Sequence, residues 1–172
     1  MKIYTMEWKG PFFCLENIKD DSELYNGIYA FVGIRKYKKY NKDNIKLQYI
    51  GKTKNLLYTR LINHHKLKYI NRELSIWFGR ITNTNNYNLE HIEHMFISFS
   101  LENDTINEKK TMSYPKTSSI IVSTFIKHNG DSYINLPKSV RCIPEIVIWD
   151  KKCRDSGILR YTSRLHIKNV YI

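Results

Sequence analysis

The chain is short of several things, and each shortage removes a class of protein. Its cysteines are only three, Cys14, Cys142 and Cys153, an odd number with no CxxC spacing. That excludes a disulfide framework and argues against a structural zinc site, leaving reduced thiols as the simpler reading. No apolar run approaches the roughly 18 residues of a membrane span, so no membrane partner is expected. The opening segment Met1-Lys2-Ile3-Tyr4-Thr5-Met6-Glu7-Trp8 lacks the apolar core of a secretory signal, which points to a cytoplasmic protein. No internal repeat or low-complexity segment is present. Acidic residues are also scarce: 16 Asp+Glu stand against 28 Lys+Arg, a formal charge of +12. Such a surplus points to a polyanionic partner, most often nucleic acid, although a merely solvated lysine surface gives the same count.

Aromatic and apolar side chains are plentiful. The 172 residues are 42% apolar and include 13 Tyr, 7 Phe and 3 Trp. A core of useful size can form, so global disorder is excluded, and the length suits one compact domain with room for a small appended lobe.

Periodicity divides the chain. Leu24 to Ile34 reads as a strand opened by Asn26-Gly27, and Lys46 to Ile50 as a second strand ending at Gly51. The polar connector Arg35 to Asn44 between them makes an antiparallel hairpin with a long loop. From Asn55 the pattern turns helical, with Leu56 or Leu57, Leu61 and Leu67 at three- to four-residue steps and no break until about Asn71. Ser75 to Ile81 predicts a third strand. Asn88 then offers an N-cap for an amphipathic helix carrying Leu89, Ile92, Phe96 and Ile97 to about Ser100. After the polar stretch Glu102 to Met112 come short β-type runs at Ile120–Val122, Tyr133–Ile134, Ile143 and Ile146–Trp149. The order is β–β–α–β–α followed by a β-rich lobe, an α+β arrangement. Trp8-Lys9-Gly10-Pro11-Phe12, near the N-terminus, is expected to pack on the core or add an edge strand.

One cluster of residues carries chemistry. Tyr29 and Tyr49 sit on the two paired strands, in Gly27-Ile28-Tyr29 and Tyr49-Ile50-Gly51, and an in-register hairpin projects both phenols from one face. Lys52 follows directly. Arg60 and His64 are four apart, on one face of the expected helix. Glu93 lies on the apolar stripe of the second helix, where an unpaired carboxylate is costly. Taken singly, each has a plain structural explanation: packing for the tyrosines, solvation for the cations, a satisfied histidine. Together they are the parts for cleaving a phosphodiester with one divalent metal.

With these residues in place the sequence resembles the GIY-YIG nucleases. The resemblance rests on Gly27-Ile28-Tyr29, on Tyr49-Ile50-Gly51-Lys52-Thr53-Lys54-Asn55-Leu56 with Arg60 and His64, on Leu89 to Ile97, and on Ile106-Asn107-Glu108-Lys109-Lys110. It implies a small three-stranded antiparallel sheet flanked by helices over residues 22–112, an N-terminal extension at 1–21 and a β-rich C-terminal extension at 113–172. It further implies that Tyr29 is the general base or a proton relay, that Tyr49 orients water or phosphate, and that Lys52 helps lower a phenol pKa. Arg60 would clamp the phosphate, His64 would sit near it or move a proton, Glu93 would bind Mg2+ or Mn2+, and Asn107 would buttress the site. Glu90 competes with Glu93 as metal ligand, and His91 and His94 invite a zinc reading, although HxxH lacks the spacing of the HExxH zinc enzymes.

The longer connector between the two signatures is read as a DNA-backbone loop, with Arg35, Lys36, Lys38 and Lys39 as contacts and Lys54 beyond it. In the C-terminal extension Lys151, Lys152, Arg154, Arg160 and Arg164 are assigned to DNA contact. The resulting expectation is a metal-dependent endonuclease acting on double-stranded DNA in restriction, mobile-element or repair chemistry, working as a homodimer if restriction-like. The alternatives are a catalytically silent nucleic-acid-binding module and an RNA-directed nuclease.

Overall fold

The structure, a computed structural model, describes residues 1–36, 45–101, 106–107, 119–128, 131–133, 143–144 and 146–149. The strands are β1 (Lys2–Phe12), β2 (Tyr25–Arg35), β3 (Lys46–Leu56), β4 (Ile70–Ile81), β5 (Ile120–His128), β6 (Asp131–Tyr133) and β7 (Ile146–Trp149). The α-helices are α1 (Leu57–Leu61) and α2 (Leu89–Leu101).

All the strands join a single seven-stranded sheet in the order β3-β2-β4-β1-β5-β6, with β7 also paired to β5. This overturns the expected three-stranded antiparallel sheet flanked by helices with a separate β-rich lobe. The sheet is larger and mixed, because β1 pairs antiparallel with β4 on one side and parallel with β5 on the other. The N-terminal segment is therefore a central strand and not an edge. Its alternation explains why: Tyr4, Met6 and Trp8 are all buried on one face. Trp8 meets the ring of Phe96 from α2 edge-on at 5.9 Å.

Each face of the sheet has its own core. On one, Met6, Trp8, Ile28, Ala30 and Trp77 pack beneath Ile92, Met95 and Phe96 of α2. On the other, Tyr29, Phe31, Ile76 and Phe78 pack against Ile18, Leu24, Leu57 and Leu61. Burying both faces is the hydrophobic reason that β2 reads as a continuous apolar run.

The long helix expected from Asn55 to about Asn71 is also corrected. Strand β3 continues to Leu56, α1 has five residues, and a 3-10 turn covers His65–Tyr69. His64 adopts extended backbone angles, and its side chain accepts from the Lys66 amide as the cap of that turn. A capping residue in this conformation ends the helix before the leucine period is exhausted. Helix α2 begins as expected: the Asn88 Oδ1 accepts from the amides of Glu90 at 2.9 Å and His91 at 3.2 Å.

In the β2–β3 hairpin Tyr29 lies opposite Gly51, and Phe31 opposite Tyr49. A Cβ on Gly51 would fall on the ring and hydroxyl of Tyr29, so this position admits only hydrogen. Gly51→Ala is expected to destabilise the protein by about 1–3 kcal/mol through overpacking, read as a lower urea midpoint at unchanged m-value.

Candidate active site

The site is built at the β3 edge, where the two cores meet. Tyr29 is completely buried, Tyr49 half-buried. Their rings stack at 6.0 Å, with the same face of the hairpin carrying both, and His64 meets Tyr49 edge-on at 5.0 Å. The Tyr29 hydroxyl lies 2.9 Å from His64 Nε2. Because His64 Nδ1 accepts from the Lys66 amide at 3.3 Å, the neutral ring carries its proton on Nε2 and donates it toward Tyr29.

The Tyr29 hydroxyl is fully committed. It accepts from His64, is hydrogen-bonded by the Arg60 guanidinium, and donates to Tyr49. One donor and two acceptor positions are all that a phenol has. Burial, together with the neighbouring Tyr49 phenol, raises the Tyr29 pKa well above its ordinary value; Arg60 opposes this in part. Burial raises Tyr49 too, while the hydrogen bond from Tyr29 acts in the opposite direction and the Glu93 charge adds to the rise. Of the two phenols, Tyr49 is therefore the one whose anion its neighbour supports, and it is also the one that reaches solvent.

Arg60 lies exposed on α1, held over the phenols by burial of Leu57 and Leu61 on either side of it. His64 sits beyond the end of the helix, so the expected shared helix face is replaced by a shared contact with Tyr29. Lys52, on β3, reaches across to α2: its Nζ is 3.1 Å from Glu93 and 3.6 Å from Glu90. The Glu93 side chain is 16% exposed and that of Glu90 58%, which makes Glu93 the inward carboxylate of the pair. Asn107 clamps the β3 backbone: Asn107 Oδ1 accepts from the Ile50 amide at 3.0 Å, and Asn107 Nδ2 donates to the Ile50 carbonyl at 2.7 Å. Residue 106 adds a third bond along this edge, from its amide to the Gln48 carbonyl. These contacts satisfy the unpaired edge of β3 between Tyr49 and Gly51.

The residues predicted for catalysis fall into two groups, Tyr29, Tyr49, Arg60 and His64 on one side of β3 and Lys52 and Glu93 on the other, with Asn107 holding the strand between them and the Glu93 charge felt by Tyr49. Among the described residues no three His, Cys, Asp or Glu side chains come together as a metal cluster. A lone inward carboxylate is the protein share of a magnesium-type site, since that cation keeps most of its waters, and holding that cation here would displace the Lys52 ammonium 3.1 Å from Glu93. Such a carboxylate does not fit the closed ligand set of a structural zinc.

Of the predicted DNA contacts, Lys36 and Lys54 are exposed and Arg35 is half-buried at the end of β2. Lys38, Lys39, Lys151, Lys152, Arg154, Arg160 and Arg164 lie outside the described residues. One participant had no signal in the motif: Lys66, whose amide sets the His64 tautomer and whose buried side chain lies 5.6 Å from the Tyr69 ring.

His64 gives the site a pH signature. Burial, then the charges of Arg60 and His65, push its pKa from 6.5 down to about 4. The folded protein thus leaves His64 neutral where the unfolded chain would protonate it. Stability is intact above pH 6.5 and is lost as pH falls toward 4, by about 2 kcal/mol at pH 5. Denaturant melts at pH 7 and pH 5 should show this difference. His64→Gln, which keeps a donor but does not titrate, should flatten it.

Searches against protein-family models, curated proteins and solved structures return no match, so a functional reading stands on these residues and their geometry.

Proposed function

We propose that the chain is a divalent-metal-dependent endonuclease that hydrolyses DNA phosphodiester bonds with the chemistry of the GIY-YIG nucleases. The observation that carries this reading is the convergence of two stacked phenols, a guanidinium and an inward carboxylate at one strand edge of a protein with charge +12. A binding module has no use for a carboxylate facing the phosphate path, because it repels the ligand.

The roles depend on which groups are free to act. Tyr49 faces solvent; once it has given up its own proton to bulk water, its phenolate takes the proton of the attacking water and returns to the phenol. Tyr29, with its hydroxyl saturated, is a positioning donor: its O–H stabilises the Tyr49 phenolate formed before attack, while His64 Nε2–H and Arg60 support Tyr29 in turn. Arg60 is exposed enough to reach a phosphate oxygen and to stabilise the charge that builds on it. Lys52 holds Glu93 in place and places a second positive charge beside the phosphate path. Glu93 would hold the Mg2+ or Mn2+, which when bound supplies Lewis-acid stabilisation of the phosphate and leaving oxygen. Asn107 is a positioning residue that fixes the backbone carrying Tyr49.

Two experiments test the reading. With supercoiled plasmid and Mg2+ or Mn2+, the wild type should break strands, and Glu93→Ala and Arg60→Ala should each lose about 100-fold or more of the rate; mobility shifts without any strand break in either metal would overturn cleavage. Because both phenols are held above their ordinary pKa, the single-turnover rate should climb about tenfold per pH unit between pH 7 and 9. A flat profile would remove the tyrosine base.

A further inference from the structure

Beside the phenol–carboxylate site lies a polar cavity of about 390 Å³ that the cleavage chemistry leaves unused. Its walls come from the start of β2 (Asn26), from β3 (Lys52 and Lys54), and from the loop before α2 (Asn85 and Tyr87), with Glu90 at the rim. The volume falls within the roughly 300–1,000 Å³ of small-ligand clefts. It is joined to the active site through Lys52 and Glu90, the ammonium and carboxylate that already meet Glu93's surroundings.

The lining is built to a pattern. Asn26 occupies the left-handed region at φ 52, at the register shift between Tyr25 and Gly27. Such a bulge turns one side chain out of the sheet alternation and is a recurring device next to functional sites. Its Nδ2 donates to the Tyr87 hydroxyl at 3.0 Å, and that hydroxyl donates back to the Asn26 carbonyl at 3.1 Å. The pair is locked, the phenol ring is fixed, and Asn26 Oδ1 remains as an acceptor. In the loop, Asn83 is spent on the β1 backbone, bonding the Thr5 amide and the Ile3 carbonyl. Asn88 is spent on the cap of α2, which consumes the amides of Glu90 and His91. Asn85 has neither duty; it is exposed and lines the cavity. The helix terminus is thus already satisfied, and what the cavity offers is the Lys54 ammonium, amide and aromatic groups, with the Glu90 carboxylate held to Lys52.

We infer that this cavity is a nucleotide subsite, taking the nucleotide next to the scissile phosphate: its phosphate at the Lys54 ammonium, on the side away from Glu90, and its base edge against the amides of Asn26 and Asn85 beside the Tyr87 ring. Ammonium groups bind phosphate without regard to base, whereas side-chain amides pair with base edges and a fixed ring packs on a base. The cavity therefore supplies both anchoring and base preference at one position of the strand. This inference deepens the nuclease reading and rests on it for the identity of the strand.

The test uses the full chain and probes that need no cleavage. Deoxynucleoside 5′-monophosphates and inorganic phosphate are titrated separately into labelled protein, following the amide signals of Asn26, Asn85, Tyr87 and Leu89. Saturable shifts at these residues, with the preferred nucleotide bound roughly tenfold more tightly than phosphate and roughly tenfold more weakly by Asn85→Ala, are expected. No shifts at these positions, or equal affinity for phosphate and all four nucleotides, would overturn the subsite. Lys54→Ala should weaken every nucleotide alike, and base-dependent weakening would overturn the split between anchoring and reading. Plasmid cleavage is scored in parallel. A chain that binds nucleotide here but cuts nothing retains the cavity and sinks the nuclease reading; one that cuts but shows no nucleotide-dependent shift does the reverse.

Discussion

The close approach of the Tyr29 ring to Gly51 is the constraint on which the site depends. The register that sets Tyr29 opposite Gly51 also sets Phe31 opposite Tyr49, so the two phenols become diagonal neighbours on one face and stack. A one-residue slip would send Tyr49 to the α2 face and Lys52 to the phenol face, separating each from its partner. Because only glycine fits beneath the Tyr29 ring, the register and the site are one requirement. The glycines that flank the tyrosines are thus packing residues first: a Cβ on Gly27 would likewise fall on the Phe78 ring and the Gly79 carbonyl.

That packing has an electrostatic consequence. Burying Tyr29 completely raises the cost of ionising it, and the protein answers with the Arg60 guanidinium and a directed chain of donors. The Lys66 amide fixes His64, His64 donates to Tyr29, and Tyr29 donates to Tyr49. Every link aims a proton outward, so anionic character is supported at the solvent end, where a water can be met. A histidine that stayed protonated would put a second positive charge beside Arg60; its depressed pKa keeps it a neutral donor through the physiological range.

Much of this was legible in the sequence where a local rule applied. Short apolar runs marked strands at Ile28–Val32 and Leu47–Ile50, the Asn88 cap opened α2, and in-register pairing of the two tyrosine signatures put both phenols on one face. The sheet was not legible, because its extent is set by partners far apart in the chain: the parallel pairing of β1 with β5 turns an apparent edge into a centre. The leucine period after Asn55 promised a longer helix, and it lost to the cap at His64, whose ring is held by long-range contact with Tyr29. The Lys52–Glu93 pair was equally hidden, since neither residue's spacing reveals that α2 crosses β3 at that height.

The enlarged sheet and the site are compatible because they use opposite ends of it. Strands β1, β5, β6 and β7 extend the sheet beyond β4, whereas every side chain of the candidate site is carried by β2, β3, α1 and the turn after it, α2 or the 106–107 clamp. Among the described residues, α1, residues 106–107 and α2 flank the β3 edge that carries Tyr49 and Lys52. The cavity lined by Lys52 and Tyr87 adjoins this edge through Lys52. On the nuclease proposal this cavity is where the neighbouring nucleotide goes, and the bulge at Asn26 forms part of its wall.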